Sequence, residues 1–315
     1  MKYYLTIDIG GTFIKYALID DSYHLLETDK IPTPNTLTDF LTHVKELIAT
    51  HKQQISGVAI ACPGQINSKV GFIHRGGLIP YLRNLPLASH LERVSLLPVT
   101  VINDANAAGL AEARLGNLRD CSCGAALILG TGVGLALISD GNLLSFRNLQ
   151  SHHMLIGPTT NDVQKNARFM AQKDILNLRV RGIESLLQNN GSAVQFIHKA
   201  SDHLALLHDD GQAVFKALTE NSDTVLIQLF ENYCQEIAQL ILNLQTVFRL
   251  ERLVLGGGIS CQPLLLKEVQ HQYHTLLEEN DHALSVEKLT LKTCRFYNNA
   301  NLIGAFCHFK DLKLG

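Results

Sequence analysis

The feature that most constrains this chain is a strand–glycine turn–strand unit that occurs twice. Tyr3 to Ile9 and Phe13 to Asp20 are β-prone runs separated by Gly10-Gly11-Thr12. Half a chain later, Gly124 to Leu129 and Gly134 to Ser139 flank Gly130-Thr131-Gly132. The first unit leads into a helical run, Leu37 to Thr50, then a strand, Ser56 to Ala61, closed by Cys62-Pro63-Gly64. Next comes a strand, Val99 to Asn103, running into an alanine-rich helix, Ala105 to Leu115. The second leads into a long helical region, Val163 to Val247, then a strand, Arg252 to Leu255, closed by Gly256-Gly257-Gly258. A last strand, Leu289 to Thr293, and a closing helix, Asn299 to Phe309, follow. Two halves on one plan predict a duplicated α/β fold. No Pro- or Gly-rich linker separates them, which favours two lobes around a cleft.

Composition sets the class. The chain has 315 residues, 46% hydrophobic and 18% charged, with a formal net charge of −2, as in a globular protein with a sizeable core. No basic stripe marks a nucleic-acid surface. No apolar run reaches the ~18 residues of a membrane span. Met1 to Ile9 opens directly as a strand, so no secretory signal is expected. Seven scattered cysteines suit a reducing cytoplasm, most of them as small core residues.

The glycine turns carry the first chemistry. In Asp8-Ile9-Gly10-Gly11-Thr12, with Lys15 beyond, missing Cβ atoms let backbone N–H groups approach phosphate oxygens. Asp8 at a strand end could hold magnesium, directly or through water. Taken alone the turn reads as an ordinary Gly-Gly hairpin, and its spacing fits neither a Walker loop nor a Rossmann fingerprint. Gly130-Thr131-Gly132-Val133-Gly134 repeats the design, and Gly256-Gly257-Gly258 places a third cluster where a strand passes to a helix. Three such turns after apolar strands exceed simple punctuation.

Asn103-Asp104-Ala105-Asn106-Ala107-Ala108 lies where a strand meets a helix. Asp104 suits a helix N-cap, and equally a base at a strand end. Here the sequence resembles the ROK family (repressors, open reading frames and kinases) of the actin, hexokinase and Hsp70 superfamily. The resemblance runs from DIGGT-x-x-K through Ala61-Cys62-Pro63-Gly64, the Gly77 to Leu87 stretch and NDANAA to LGTGVG and LGGGIS.

That resemblance implies an actin-like (ribonuclease H-like) fold and an ATP- and magnesium-dependent kinase of a hexose or N-acylhexosamine. It implies Asp104 as general base. Pro63, Gly64, Gly77 and Asn103 would line the sugar. Asp8, Gly10, Gly11, Thr12 and Lys15 would form the first phosphate motif, and Gly130, Thr131, Gly132 and Gly134 the second. Gly256, Gly257 and Gly258 would form the adenosine-side turn. Residues 1–112 with 299–315 would make a smaller lobe, and 113–298 a larger one. The family also implies a homodimer. A repressor would need a helix-turn-helix ahead of Asp8, where only seven residues stand, so none is expected.

The chain departs from the family pattern in one region. The Glu-x-Gly-His element and the zinc-binding cysteine cluster are not intact, so no structural zinc is expected. Cys121-Ser122-Cys123-Gly124 lies before the Gly130 motif and reads as a surface turn leading into a strand. Gln150 and His153 take the places of the sugar-binding Glu and His, as in a zinc-free branch with N-acetylmannosamine kinases among its members. Gln binds sugar hydroxyls less tightly than a carboxylate. The alternative reading is therefore a sugar- or nucleotide-binding homologue with weak or no kinase activity.

Overall fold

The computed structural model describes residues 2–144, 191–220, 222–279 and 289–315. Gln150, His153 and the 163–190 part of the expected helical region lie outside them. The chain divides into two compact units, Met1–Arg119 with Asn298–Gly315, and Asp120–Tyr297.

In the first unit, β1 (Tyr3–Ile9), β2 (Phe13–Asp20), β3 (Leu25–Pro32), β4 (Ile55–Cys62) and β7 (Val99–Asn103) form a sheet of order β3-β2-β1-β4-β7. The hairpin strands β1, β2 and β3 pair antiparallel, while β4 lies parallel to β1 and β7 parallel to β4. A two-stranded ribbon, β5 (Gln65–Asn67) and β6 (Phe72–Arg75), projects from the loop after β4.

One sheet face is covered by α1 (Leu37–His51), whose Phe40, Val44, Leu47 and Ile48 repeat at helical spacing and are buried, and by α2 (Leu87–Ser95). The other carries α3 (Asp104–Leu115) and the C-terminal helix, here α8 (Ala300–Lys313). α3 and α8 touch so closely that a Cβ on Gly304 would run into the Ala107 carbonyl. Phe306 and Phe309 of α8 pack on Tyr4 of β1 at ring-centroid distances of 4.8 and 5.3 Å. Phe309 also fills the space that a side chain on Gly57 would need. Truncating such a ring to alanine typically costs about 3–5 kcal/mol.

The second unit repeats the plan. β8 (Cys123–Leu129), β9 (Val133–Ser139), β10 (Asn142–Leu143), β11 (Arg252–Gly256) and β12 (Thr290–Thr293) run in the order β10-β9-β8-β11-β12, with the same parallel and antiparallel senses. α4 (Ala193–His203), α5 (Gly211–Glu220), α6 (Thr224–Gln245) and α7 (Pro263–Glu279) accompany it. α6 is the centre of this core, burying Phe230, Cys234, Ile237, Ile241 and Leu244.

The described part of the long helical region is three helices: Ala205 takes a left-handed φ of 52° after α4, and Asp223 caps a new start by accepting from the Val225 and Leu226 N–H groups. One expectation needs correction. Cys121 and Cys123 are not a surface turn. Both are buried, Cys123 opens β8, and the Cys121 thiol donates to the Cys123 carbonyl at 3.2 Å. Among the described residues no helix is long and apolar enough to cross a membrane.

Candidate active site

Asp8 is the penultimate residue of β1, and Asp104 opens α3 directly after β7, both in the first unit. The helix cap belongs to Asn103, not Asp104: the Asn103 side-chain oxygen accepts from the Asn106 N–H at 3.1 Å. The Asn103 amide nitrogen donates to the Gly64 carbonyl at 3.0 Å and to Asp104 Oδ1 at 2.9 Å. The Ala105 N–H also donates to Asp104 Oδ1, at 2.8 Å. Both bonds fall on the same oxygen, Oδ1. Burial raises the Asp104 carboxyl, the hydrogen bond from Ala105 lowers it and the nearby Asp8 charge raises it, which together leave it at about 6.

The loop expected to line a sugar is fixed to the same strand end. Gly64 has φ of 95°, and a Cβ there would strike the Arg75 carbonyl and lie 2.6 Å from the Gly77 nitrogen. Gly64 and Gly77 therefore lie back to back, joining the turn after β4 to the turn after β6. Pro63 is buried between them and β4, while Gly77 faces solvent. Asn103 thus ties this loop to Asp104.

Asp8 is buried, and desolvation raises its carboxyl pKa; the Asn301 side chain, donating to Oδ1 at 3.1 Å, and the Lys15 charge both lower it. Lys15 is the residue directly opposite Asp8 in the β1–β2 ladder. The turn itself closes through the Gly10 N–H on the Phe13 carbonyl at 3.0 Å. Thr33 braces it from outside, its hydroxyl donating to the Gly10 carbonyl at 2.6 Å and its N–H to the Thr12 carbonyl at 3.0 Å. Gly11 and Thr12 remain exposed.

In the second unit, the Gly130 N–H closes its turn on the Gly132 carbonyl at 3.0 Å. Gly191-Ser192 clasps that turn: the Ser192 hydroxyl donates to the Thr131 carbonyl at 2.7 Å, and the Ala193 N–H to the Gly130 carbonyl at 2.9 Å. Glu236 of α6 accepts the Gly191 N–H at 3.0 Å. Gly134 lies within β9. Gly257, at φ of 95°, abuts the Leu129 carbonyl, so the third cluster packs beside the second. A Cβ on Gly132 or Gly258 would meet no heavy atom within 4 Å. Neither packing nor backbone conformation demands glycine at those two exposed positions, which suits the close approach of a ligand.

Sequence reasoning did not find Asn301, Thr33, Ser192 or Glu236. Asn301 stands in Asn298-Asn299-Ala300-Asn301, a run that reads as helix-start punctuation. Nothing local separates the residue that reaches Asp8 from its neighbours.

The residues fit a magnesium–nucleotide pair. Desolvation raises both Asp8 and Asp104, and the Asp8 charge raises Asp104 as well, a concentration of negative charge that a dication would relieve; Gly11 and Thr12 in the turn of the same unit are exposed. The chain is similar to known proteins over almost its whole length. A ROK family profile matches residues 4–160 and 178–312. Beta-glucoside kinase of Listeria monocytogenes serovar 1/2a is 26% identical over 305 residues, 96% of this chain and 95% of that one. N-acetylmannosamine kinase of Citrobacter koseri is 28% identical over 310 residues, 96% of each. A solved ROK family glucokinase from Streptomyces griseus, in complex with glucose and AMPPNP, matches with a TM-score of 0.69 at 20% identity, covering 96% of this chain and 97% of that one. With the profile spanning nearly its whole length and the actin-like fold in place, the chain belongs to the ROK family.

Proposed function

We propose that the protein is a sugar kinase that moves the γ-phosphoryl group of ATP to a hydroxyl of a hexose or N-acylhexosamine, with Asp104 as general base. The observation that carries this reading is the state of Asp104. Its capping duty falls to Asn103, and Oδ1 is held by two donors, the Asn103 amide and the Ala105 N–H. A carboxyl near pKa 6 is ionised at neutral pH yet more basic than an ordinary aspartate.

The sugar oxygen attacks the γ-phosphorus as its proton passes to Asp104 Oδ2. The bond from that phosphorus to the bridging oxygen breaks, and ADP carries away the electron pair. Asn103 holds Oδ1 so that Oδ2 keeps its aim, and Gly64 and Gly77 give the sugar loop a fixed shape. Asp8 would hold magnesium, which supplies charge neutralisation at the phosphoryl oxygens when bound. Backbone N–H groups of the Gly10–Thr12 and Gly130–Gly132 turns would bind phosphate, and Gly256–Gly258 the adenosine side. Gln150 and His153 would complete the sugar contacts. Seven free cysteines support a reducing, cytoplasmic setting, and the family resemblance supports a homodimer.

A coupled ADP-release screen over glucose, mannose, fructose, N-acetylmannosamine, N-acetylglucosamine and β-glucosides tests this. At least one acceptor should give magnesium-dependent turnover that Asp104→Asn abolishes. Silence with every acceptor would overturn the kinase reading.

A further inference from the structure

We propose that Asn301 is a positioning residue for magnesium–nucleotide binding, pinning one oxygen of Asp8 so that the other faces the metal. The inference rests on the kinase reading for Asp8's role but on separate geometry. Asn301 lies in the first turn of α8, two residues past the N-cap Asn299, whose side chain makes no capping bond; Asn301 donates to Asp8 Oδ1 at 3.1 Å across 293 positions of sequence.

The helix is held in place for this contact. Tyr4, Thr6 and Asp8 alternate onto one face of β1, and α8 lies along that face. Phe306 and Phe309 engage Tyr4 near the strand's start, while Asn301 engages Asp8 near its end. The Gly304–Ala107 contact sets the distance to α3, and the Phe309–Gly57 contact sets the distance to β4. A side chain so fixed donates from one direction, which removes the rotational freedom a carboxylate at a strand end would otherwise have. No other hydrogen bond reaches Asp8 among the described residues, so Oδ2 is left for a cation or its water. The first turn of α8 also brings the positive end of a helix dipole to the carboxylate. Asn103 plays the parallel part for Asp104, so each acid is held through Oδ1 by one asparagine amide.

Outer partners of a metal-binding carboxylate typically govern about 10–100-fold in metal affinity. Asn301→Leu keeps the volume and removes the donor; Asn301→Gln keeps a donor on a stem one methylene longer. Mg·ADP binding is measured by titration calorimetry without sugar, together with the magnesium half-saturation of turnover, the sugar KM, and Tm without nucleotide. Asn301→Leu should weaken Mg·ADP binding and raise the magnesium requirement by about tenfold, leave the sugar KM within twofold, and melt within a few degrees of wild type. Asn301→Gln should recover part of the loss.

A Leu variant that binds Mg·ADP like wild type would overturn the proposal, whether its Tm is kept or lowered, because Asn301 would then serve Asp8 only as a buried partner. An equal loss in sugar KM and nucleotide affinity would overturn it too. If wild type phosphorylates no sugar yet binds Mg·ADP and the Leu variant weakens that binding, this inference stands and the kinase reading falls.

Discussion

β1 of the first unit carries Asp8 two residues before its glycine turn, whereas β8 of the second carries Ile128 at the same distance from Gly130. The same contrast recurs at the other strand ends. β7 runs into Asn103-Asp104, while β12 runs into Cys294, whose sulfur lies 2.8 Å from where a Cβ on Gly256 would sit. Strand order, strand sense and the hairpin turn are common to both sheets. The ladder and the core constrain those features, so they persist in both copies. Strand ends escape that constraint: in one copy they hold acids under a capping helix, in the other glycines and apolar side chains. One scaffold occurs twice, and its strand ends differ in the side chains they carry.

The strongest way to break this contrast is Asp104→Asn, which keeps both acceptor contacts on the side-chain oxygen and removes the proton acceptor. Turnover should fall by at least ~10²-fold, with Tm equal to or a few degrees above wild type and Mg·ADP binding retained. Near-normal turnover in steady-state assays would make the first unit's acid structural.

The second unit should respond in the opposite currency. Gly257→Ala forces a Cβ against the Leu129 carbonyl at φ of 95°, and should cost about 2–4 kcal/mol in urea unfolding. Gly132→Ala meets open space; it should unfold like wild type and raise only the KM for ATP, severalfold. Equal effects of the two substitutions would remove the distinction between a packing glycine and a binding one.

pH sharpens the comparison from the acid side. The Asp104 carboxyl is raised from 3.8 to about 6 in the folded protein. The stabilisation from its protonated form is present below pH ~4 and lost as pH rises through ~6. Asp104→Asn escapes that loss, so its Tm should gain on wild type between pH 4 and pH 7, by a few degrees at most because Asp104 is only half-buried. In wild type, kcat/KM should fall tenfold per unit below about pH 6. An acid limb near pH 4 would place the base elsewhere. The smallest expected effect concerns zinc: elemental analysis of metal-unsupplemented protein should find well under ~0.1 per chain, and stoichiometric zinc would reassign the region around Gln150 and His153.

Much of this was legible in the sequence. β-branched and apolar runs, several of them closed by glycine turns, placed β1, β2, β4, β7, β8, β9 and β11 to within about a residue, because largely buried strands leave a clear apolar pattern. β3 was not legible. Its Leu25–Pro32 segment is mostly exposed and carries Glu27, Asp29 and Lys30 at its centre, as suits an edge strand that must not pair further. The helix boundary at Asn103-Asp104 was visible, but two good caps stand side by side, and only the hydrogen bonds decide between them. Asn301 was out of reach of any local rule, since its meaning comes from a partner 293 positions away.

The first unit is interrupted by the second, and this imposes an order on synthesis. The β1 face awaits α8, and residues 120–297 must be made in between. At ~5–20 residues per second the delay is roughly 10–35 s, far longer than a helix or hairpin needs to form. The second unit is contiguous in sequence and can close on its own as it leaves the ribosome. The earlier-made unit must wait with Tyr4, Gly57 and the alanine face of α3 uncovered, an apolar surface for a chaperone to shield. Removing residues from 300 onward would make that waiting state permanent, so the soluble yield of such a truncation should fall before any question of catalysis arises.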